Sequence, residues 1–221
     1  MRIKMHLAVV IASFCFLTPG TIWAGAITDL VTVNTSAING TSGFLDFDFA
    51  PGNDSQSAFV TVAGFSPGAS LSGVPQVNGG VTGTLPGTLT IDNSTAFNDY
   101  FQAFNYGTTI QFLLTFGGPA LTAPNGTSTS GSTFVFGMFD STGNNPLLTT
   151  DPNGNTFTVD VNLNGGTTVT TFPSDANGGP PAAALVAATP EPSCLPLVPF
   201  LLAGIVVGRR QWGVNRGRQS L

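Results

Sequence analysis

The chain has 221 residues, enough for one ordinary domain and short terminal segments. Charged residues make up only 8% of it, and the six basic side chains (Arg2, Lys4, Arg209, Arg210, Arg216 and Arg218) all lie near an apolar terminal segment. Between Gly25 and Thr189 there are ten aspartates and no Lys, Arg, His, Cys, Trp or Glu, a concentration of negative charge that excludes nucleic acid and anionic lipid as partners of this interval.

Residues 1–26 read as a secretory signal peptide. Arg2 and Lys4 form its basic start, and Leu7 to Leu17 is an apolar run too short to span a bilayer comfortably. Pro19 and Gly20 break the run, and the small residues Ala24-Gly25-Ala26 suit the signal peptidase that would cut there. Cys15 follows Phe14 rather than a small residue, which rules out a lipoprotein signal. Cys15 and Cys194 both fall in terminal apolar segments, so the central domain is a cysteine-free fold held by its core.

Residues 27–173 carry no helical period and predict an all-β, jelly-roll-like β-sandwich ectodomain. Candidate strands, in chain order, are ITDLVTVNT, SGFLDFDFA, SAFVTVAGF, GTLTID, TTIQFLLTF, STFVFGMF, TFTVDVNL and TTVTTF, and eight to eleven strands fit the spacing. The segment 94–107 suits either a short helix or a bent strand. Turns are marked by Asn39-Gly40, Asn78-Gly79-Gly80, Asn125-Gly126, Pro152-Asn153-Gly154 and Asn164-Gly165-Gly166. Phe44, Phe47 and Phe49 are expected on the buried face of their strand, with Asp46 and Asp48 on a solvated face opposite. Fifteen Phe residues in the interval supply the core.

The missing residue types bound the chemistry. Without His, Cys or Lys, no Ser-His-Asp, Cys-His or Ser-Lys nucleophile can be assembled, and zinc, copper and non-haem iron lose their usual ligands. No catalytic residue is assigned, and the domain is not expected to be an enzyme. Calcium is the one cofactor the residues leave open. Asp46, Asp48 and Asp54 are close in sequence, and Asp151 begins an Asp-x-Asn-x-Asn run that imitates half of an EF-hand loop. That run lacks the Gly and the final bidentate acid, so a turn at Asp151 is the preferred reading, as a solvated strand face is for Asp46 and Asp48. Five Asn-x-Ser/Thr triplets (at Asn34, Asn39, Asn53, Asn93 and Asn125) are expected by chance in so Ser- and Thr-rich a chain. TTVTT at 167–171 reads as a plain strand edge.

Residues 174–189 read as a Pro/Ala/Gly linker. Beyond it, Pro190-Glu191-Pro192 precedes the apolar span 193–208, then Arg209-Arg210, Trp212 and a tail at 213–221. The span would reach about 24 Å as a helix, a weak transmembrane segment, with Arg209 and Arg210 as a cytoplasmic stop and the 213–221 tail beyond it.

The triplet, short span and basic stop together, over 190–212, resemble the PEP-CTERM sorting domain. The resemblance implies recognition of Pro190, Glu191 and Pro192 by a membrane-embedded exosortase, transient anchoring by the C-terminal helix, then removal of the tail at the cell surface. Pro196 and Pro199 within the span, and the chain beyond Arg210, depart from the usual pattern. The stretches LDFDFAPGN, GTLPGTLTIDNSTAFNDYFQAF, GPALTAPNGTSTSGSTF and PLLTTDPNGN further resemble exported PEP-CTERM proteins whose domain has no assigned activity. The expected role is therefore that of a cell-surface or extracellular-matrix protein without catalysis. The alternative is an adhesin-like module for extracellular polysaccharide, with calcium as its possible helper ion.

Overall fold

The computed structural model describes residues 25–188. Nearly all of the 1–26 signal peptide lies outside the described residues, as do Pro190-Glu191-Pro192, the apolar span with Arg209 and Arg210, and the 213–221 tail. Among the described residues no helix is long and apolar enough to cross a membrane.

The described chain is all-β apart from two short helical turns, Ser36–Ile38 and Pro119–Thr122. Its strands are β1 (Ile27–Asn34), β2 (Ser42–Pro51), β3 (Phe59–Pro67), β4 (Ser70–Leu71), β5 (Gln76–Asn78), β6 (Val81–Gly83), β7 (Leu89–Asp92), β8 (Asp99–Asn105), β9 (Thr109–Gly117), β10 (Ser132–Asp140), β11 (Asn155–Val161), β12 (Thr167–Thr171) and β13 (Ala183–Ala187). They form two antiparallel sheets, one in the order β13-β1-β9-β3-β7-β6 and the other β12-β11-β10-β2-β8-β4, with β5 also paired to β8. The architecture is that of a two-sheet sandwich.

Period-two alternation makes the core. Val31 and Val33 of β1, Leu45, Phe47 and Phe49 of β2, and Val60 and Val62 of β3 are all fully buried, while their strand neighbours face outward. Aromatic rings join the two layers: Phe112 of the first sheet lies 5.7 Å from Phe47 and 5.6 Å from Phe136 of the second, centroid to centroid. Phe116 and Phe134 meet edge to face at 6.0 Å. Each such ring contributes about 1.5–3 kcal/mol by burial, which is how a domain without disulfides holds together.

Three expectations change, and one open choice is decided. Phe44 does not join Phe47 and Phe49; it shares the outward parity of Asp46 and Asp48 and stacks on Phe101 at 4.6 Å. The strand period of two forces this, because residues 44 and 47 are an odd number apart. The 94–107 segment resolves as a bend followed by β8. The stretch read as a linker contributes strand β13, which pairs with β1 from Val33↔Ala183 to Asp29↔Ala187. Its Ala-rich composition hid the strand, whose inward Ala183 and Leu185 pack on the core. Finally, the sheets contain thirteen strands rather than eight to eleven, since β4, β5 and β6 are only two or three residues long.

Candidate functional site

The outer face of the second sheet gathers the acids. On β2, Asp46 lies between Phe101 of β8 and Gly137 of β10, and Asp48 lies opposite Asp99 of β8. Asn78 of β5 then pairs with Asp99 and donates its Nδ2 hydrogen to Asp99 Oδ2 at 3.2 Å. Three carboxylates from two neighbouring strands thus occupy one patch. Further along the same face, Asp160 of β11 accepts the Thr133 hydroxyl at 2.6 Å.

This patch is not the solvated strand face expected of Asp46 and Asp48. Asp99 is only 8% exposed, and Asp46 Oδ1 and Asp48 Oδ1 are buried without a hydrogen-bond partner. Phe44, Phe101 and Phe139 cover the neighbouring surface, with Phe101 6.1 Å from Phe139 and Gly143 of the following turn close against Phe101 and Phe44. Desolvation pushes the Asp46 carboxyl up to about 8, with a hydrogen bond to Asp99 and the charges of Asp99 and Asp48 adding to it. Burial raises Asp48 to about 6, helped by the Asp99 charge and opposed by backbone amides of Phe49 and Asn98. Of the two, Asp46 holds its proton to the higher pH.

Two further carboxylates have the opposite fates of burial and exposure. Asp29 points into the sandwich at 6% exposed, its Oδ2 unpartnered, and burial raises its pKa. Asp140 sits at an exposed turn, where it accepts Asn145 Nδ2 and Thr142 Oγ1, each at 2.6 Å. Those bonds hold its carboxyl well below the usual range.

The calcium candidates do not converge. Asp54 lies in the exposed turn after β2 with φ 59°, apart from the strand that carries Asp46 and Asp48. Asp151 organises a turn: its carbonyl accepts Gly154 N–H at 3.0 Å and its Oδ2 accepts Asn155 N–H at 3.1 Å. Among the described residues no group of three His, Cys, Asp or Glu side chains is arranged to hold a metal ion. Asp99, which the sequence reading left out, is the carboxylate that does join Asp46 and Asp48. The strand register creates that meeting, and nothing local in the sequence announces it.

A second feature lies at one end of the sandwich. A cleft of about 110 Å³ is lined by Gln56, Asn125, Ser128, Ser130, Ser132 and Asn162 among others. An open groove of about 440 Å³ shares Ser130 and Asn162 with it and extends to Asp160. Gln56 shapes the cleft by accepting Asn125 N–H at 2.9 Å and donating to Ala123 O at 2.9 Å. The lining offers hydroxyls and amides, groups that hydrogen-bond sugars, alongside the aliphatic Ala120, Val161 and Leu163, and no aromatic platform.

Comparison of the chain with protein-family models, with curated proteins and with solved structures finds no match.

Proposed function

We propose that the chain is an exported cell-surface or extracellular-matrix protein, sorted through Pro190-Glu191-Pro192 by an exosortase, whose jelly-roll-like sandwich serves a structural and interaction role without catalysis. The observation that supports this best is the filled core. Phe47, Phe112, Phe116, Phe134 and Phe136 pack the interlayer space, so the domain presents surfaces rather than a deep reaction chamber. Asp46, Asp48, Asp99 and Asp160 share one sheet face instead of facing each other across a cleft, the arrangement a glycosidase pair requires.

Signal peptidase and exosortase are the partners this route implies, with the apolar C-terminal span holding the chain in the membrane only before processing. The test is expression of the full chain in a bacterium that carries an exosortase. Mass spectrometry of the released protein should find no peptide from 195–221, and Glu191→Ala should keep the protein in the membrane fraction. Abundant released chain with its tail intact would overturn the sorting reading.

The second reading, a polysaccharide-binding module, draws on the hydroxyl- and amide-lined cleft beside Asn125 and Asn162. A glycan array probed with and without calcium separates it from a purely structural role.

A further inference from the structure

The outer face of the first sheet differs from that of the second in having almost no charge. Cross-strand register places Val186, Leu30, Leu113 and Ala63 in one continuous row over β13, β1, β9 and β3. Val186 is 64% exposed, Leu30 41% and Leu113 39%. On one side of this apolar row runs a threonine row, Thr28, Thr115, Thr61, Thr90 and Thr82, over five adjacent strands. Its hydroxyls pair with each other, Thr28 with Thr115 at 3.0 Å and Thr61 with Thr90 at 3.4 Å, so they make few demands on solvent. On the other side Thr32 accepts a hydrogen bond from Gln111 at 3.2 Å. The aspartate on this face is Asp92, at the far corner beside Phe59.

We propose that this face is the interface between two copies of the chain, packed first sheet against first sheet around the Leu30–Leu113 row. Three physical points select a second copy as the occupant. Charge is the first: Asp46, Asp48, Asp99 and Asp160 all lie on the opposite sheet. In a face-to-face pair those acidic surfaces stand about 30 Å apart, three intersheet spacings of about 10 Å each and well beyond the Debye length of about 8 Å. Approach through the other face would press them together.

Shape is the second point. Successive strands turn by roughly 20–25°, so a six-stranded sheet is a twisted surface that touches a flat polymer crystal over only part of its width. Another sheet of the same twist follows it throughout, as the two layers of a sandwich follow each other. A two-fold axis lying in the interface, along the apolar row or at right angles to it, also returns that row onto itself, as an isologous contact requires.

Area is the third point. The six strands run from three to nine residues, and at about 3.4 Å per residue and about 4.8 Å between strands they give a face on the order of 600 Å² in projection. A stable interface needs about 800 Å² of accessible surface per partner, and accessible area exceeds projection. The interface involves the described sandwich only and is independent of how the chain is exported.

The test uses the full chain in mild detergent with Cys15→Ser and Cys194→Ser. Leu113→Cys places a thiol at the centre of the proposed interface, and Thr170→Cys places one on the exposed outer side of β12 in the other sheet. A short bismaleimide should trap covalent dimer at Leu113→Cys at least about fivefold more than at Thr170→Cys. Adding Leu30→Asp, or Thr115→Lys if Leu30→Asp disturbs the near-ultraviolet circular dichroism, should lower that trapping by about tenfold. Equal trapping at both positions, or monomer throughout, overturns the proposal. So does a monomeric Leu113→Cys chain that is retained on cellulose, which would give the face to a neutral polysaccharide instead.

Discussion

Asp48 and Asp99 stand directly opposite each other on β2 and β8, a cross-strand position where like charges destabilise a sheet. No lysine, arginine or histidine occurs anywhere between Gly25 and Thr189 to offset them, so bound protons and neutral donors such as Asn78 Nδ2 must do so. The raised carboxyls of Asp46 (about 8), Asp48 (about 6) and buried Asp29 bind protons in the folded chain at pH values where the unfolded chain, near 3.8, has lost them. Folding is then favoured as pH falls. Stability should be greatest near pH 4, decline through pH 6 as Asp48 ionises and decline further toward pH 8 with Asp46. Asp140, whose pKa is lowered, acts in the opposite sense and loses its contribution only at lower pH still. Urea melts from pH 4 to 8 check this, and a midpoint that rises toward pH 8 would contradict it.

Asp46→Asn keeps the shape of the side chain and removes its titration. At pH 8 this should stabilise the domain by about 1–3 kcal/mol, the cost of a buried polar group left without its partner. At pH 4, where Asp46 is already protonated, the effect should be small. The difference between the two pH values carries the information, and an equal change at both would mean that the substituted amide merely packs differently.

Calcium and sodium at matched ionic strength should raise the melting temperature equally at pH 6. Asp46 and Asp48 are partly protonated there, Asp54 stands apart, and Asp151 is committed to its own turn. Both salts then act by screening alone. An extra increment from calcium, abolished by chelator, would show native-state binding and favour the metal reading.

The sequence made the long strands legible because β1, β2, β3, β9, β10 and β11 alternate cleanly or carry aromatic runs between turn residues. It made the short β4, β5 and β6 illegible, since two or three residues show no period. Strand β13 was concealed because Ala-Ala-Leu-Val-Ala is as typical of a linker as of an edge strand. At the acidic patch, Asp46 and Asp48 were visible as a pair, whereas Asp99 joins them only through a β2–β8 register spanning some fifty residues of chain. Register is a tertiary property, fixed by which faces are buried together.

Asn93 ties the two layers together at one end. Its Oδ1 accepts Ala58 N–H at 2.9 Å, and its Nδ2 donates to Gln56 O at 2.9 Å and Ser132 Oγ at 2.8 Å. Asn93→Ala should cost about 2–4 kcal/mol by orphaning these groups, whereas Asn125→Ala, in an exposed loop, should cost under about 1 kcal/mol. Urea unfolding of both variants checks the contrast. The same three bonds leave the Asn93 amide no room for a glycan, although it heads an Asn-x-Thr triplet.

Leu185 and Ala187 distinguish a strand from a linker at the end of the domain. Leu185 faces inward from β13 and packs on the core, while Ala187, the last residue of that strand, is exposed. If 174–189 were a tether, Leu185→Ser and Ala187→Ser would both leave stability unchanged. Because β13 hydrogen-bonds along β1 from Val33 to Asp29, Leu185→Ser removes apolar burial and sets a hydroxyl against the sandwich interior, at about 1–3 kcal/mol. Ala187→Ser should stay within about 0.5 kcal/mol. Loss of β13 would also bare the edge of β1, including the unpaired backbone groups beside Leu30, and exposed edges recruit other chains. Leu185→Ser should therefore show both a lower urea midpoint and earlier aggregation on heating, measured by light scattering. A Leu185→Ser domain that unfolds and scatters like the parent would return this segment to the linker it resembled in sequence.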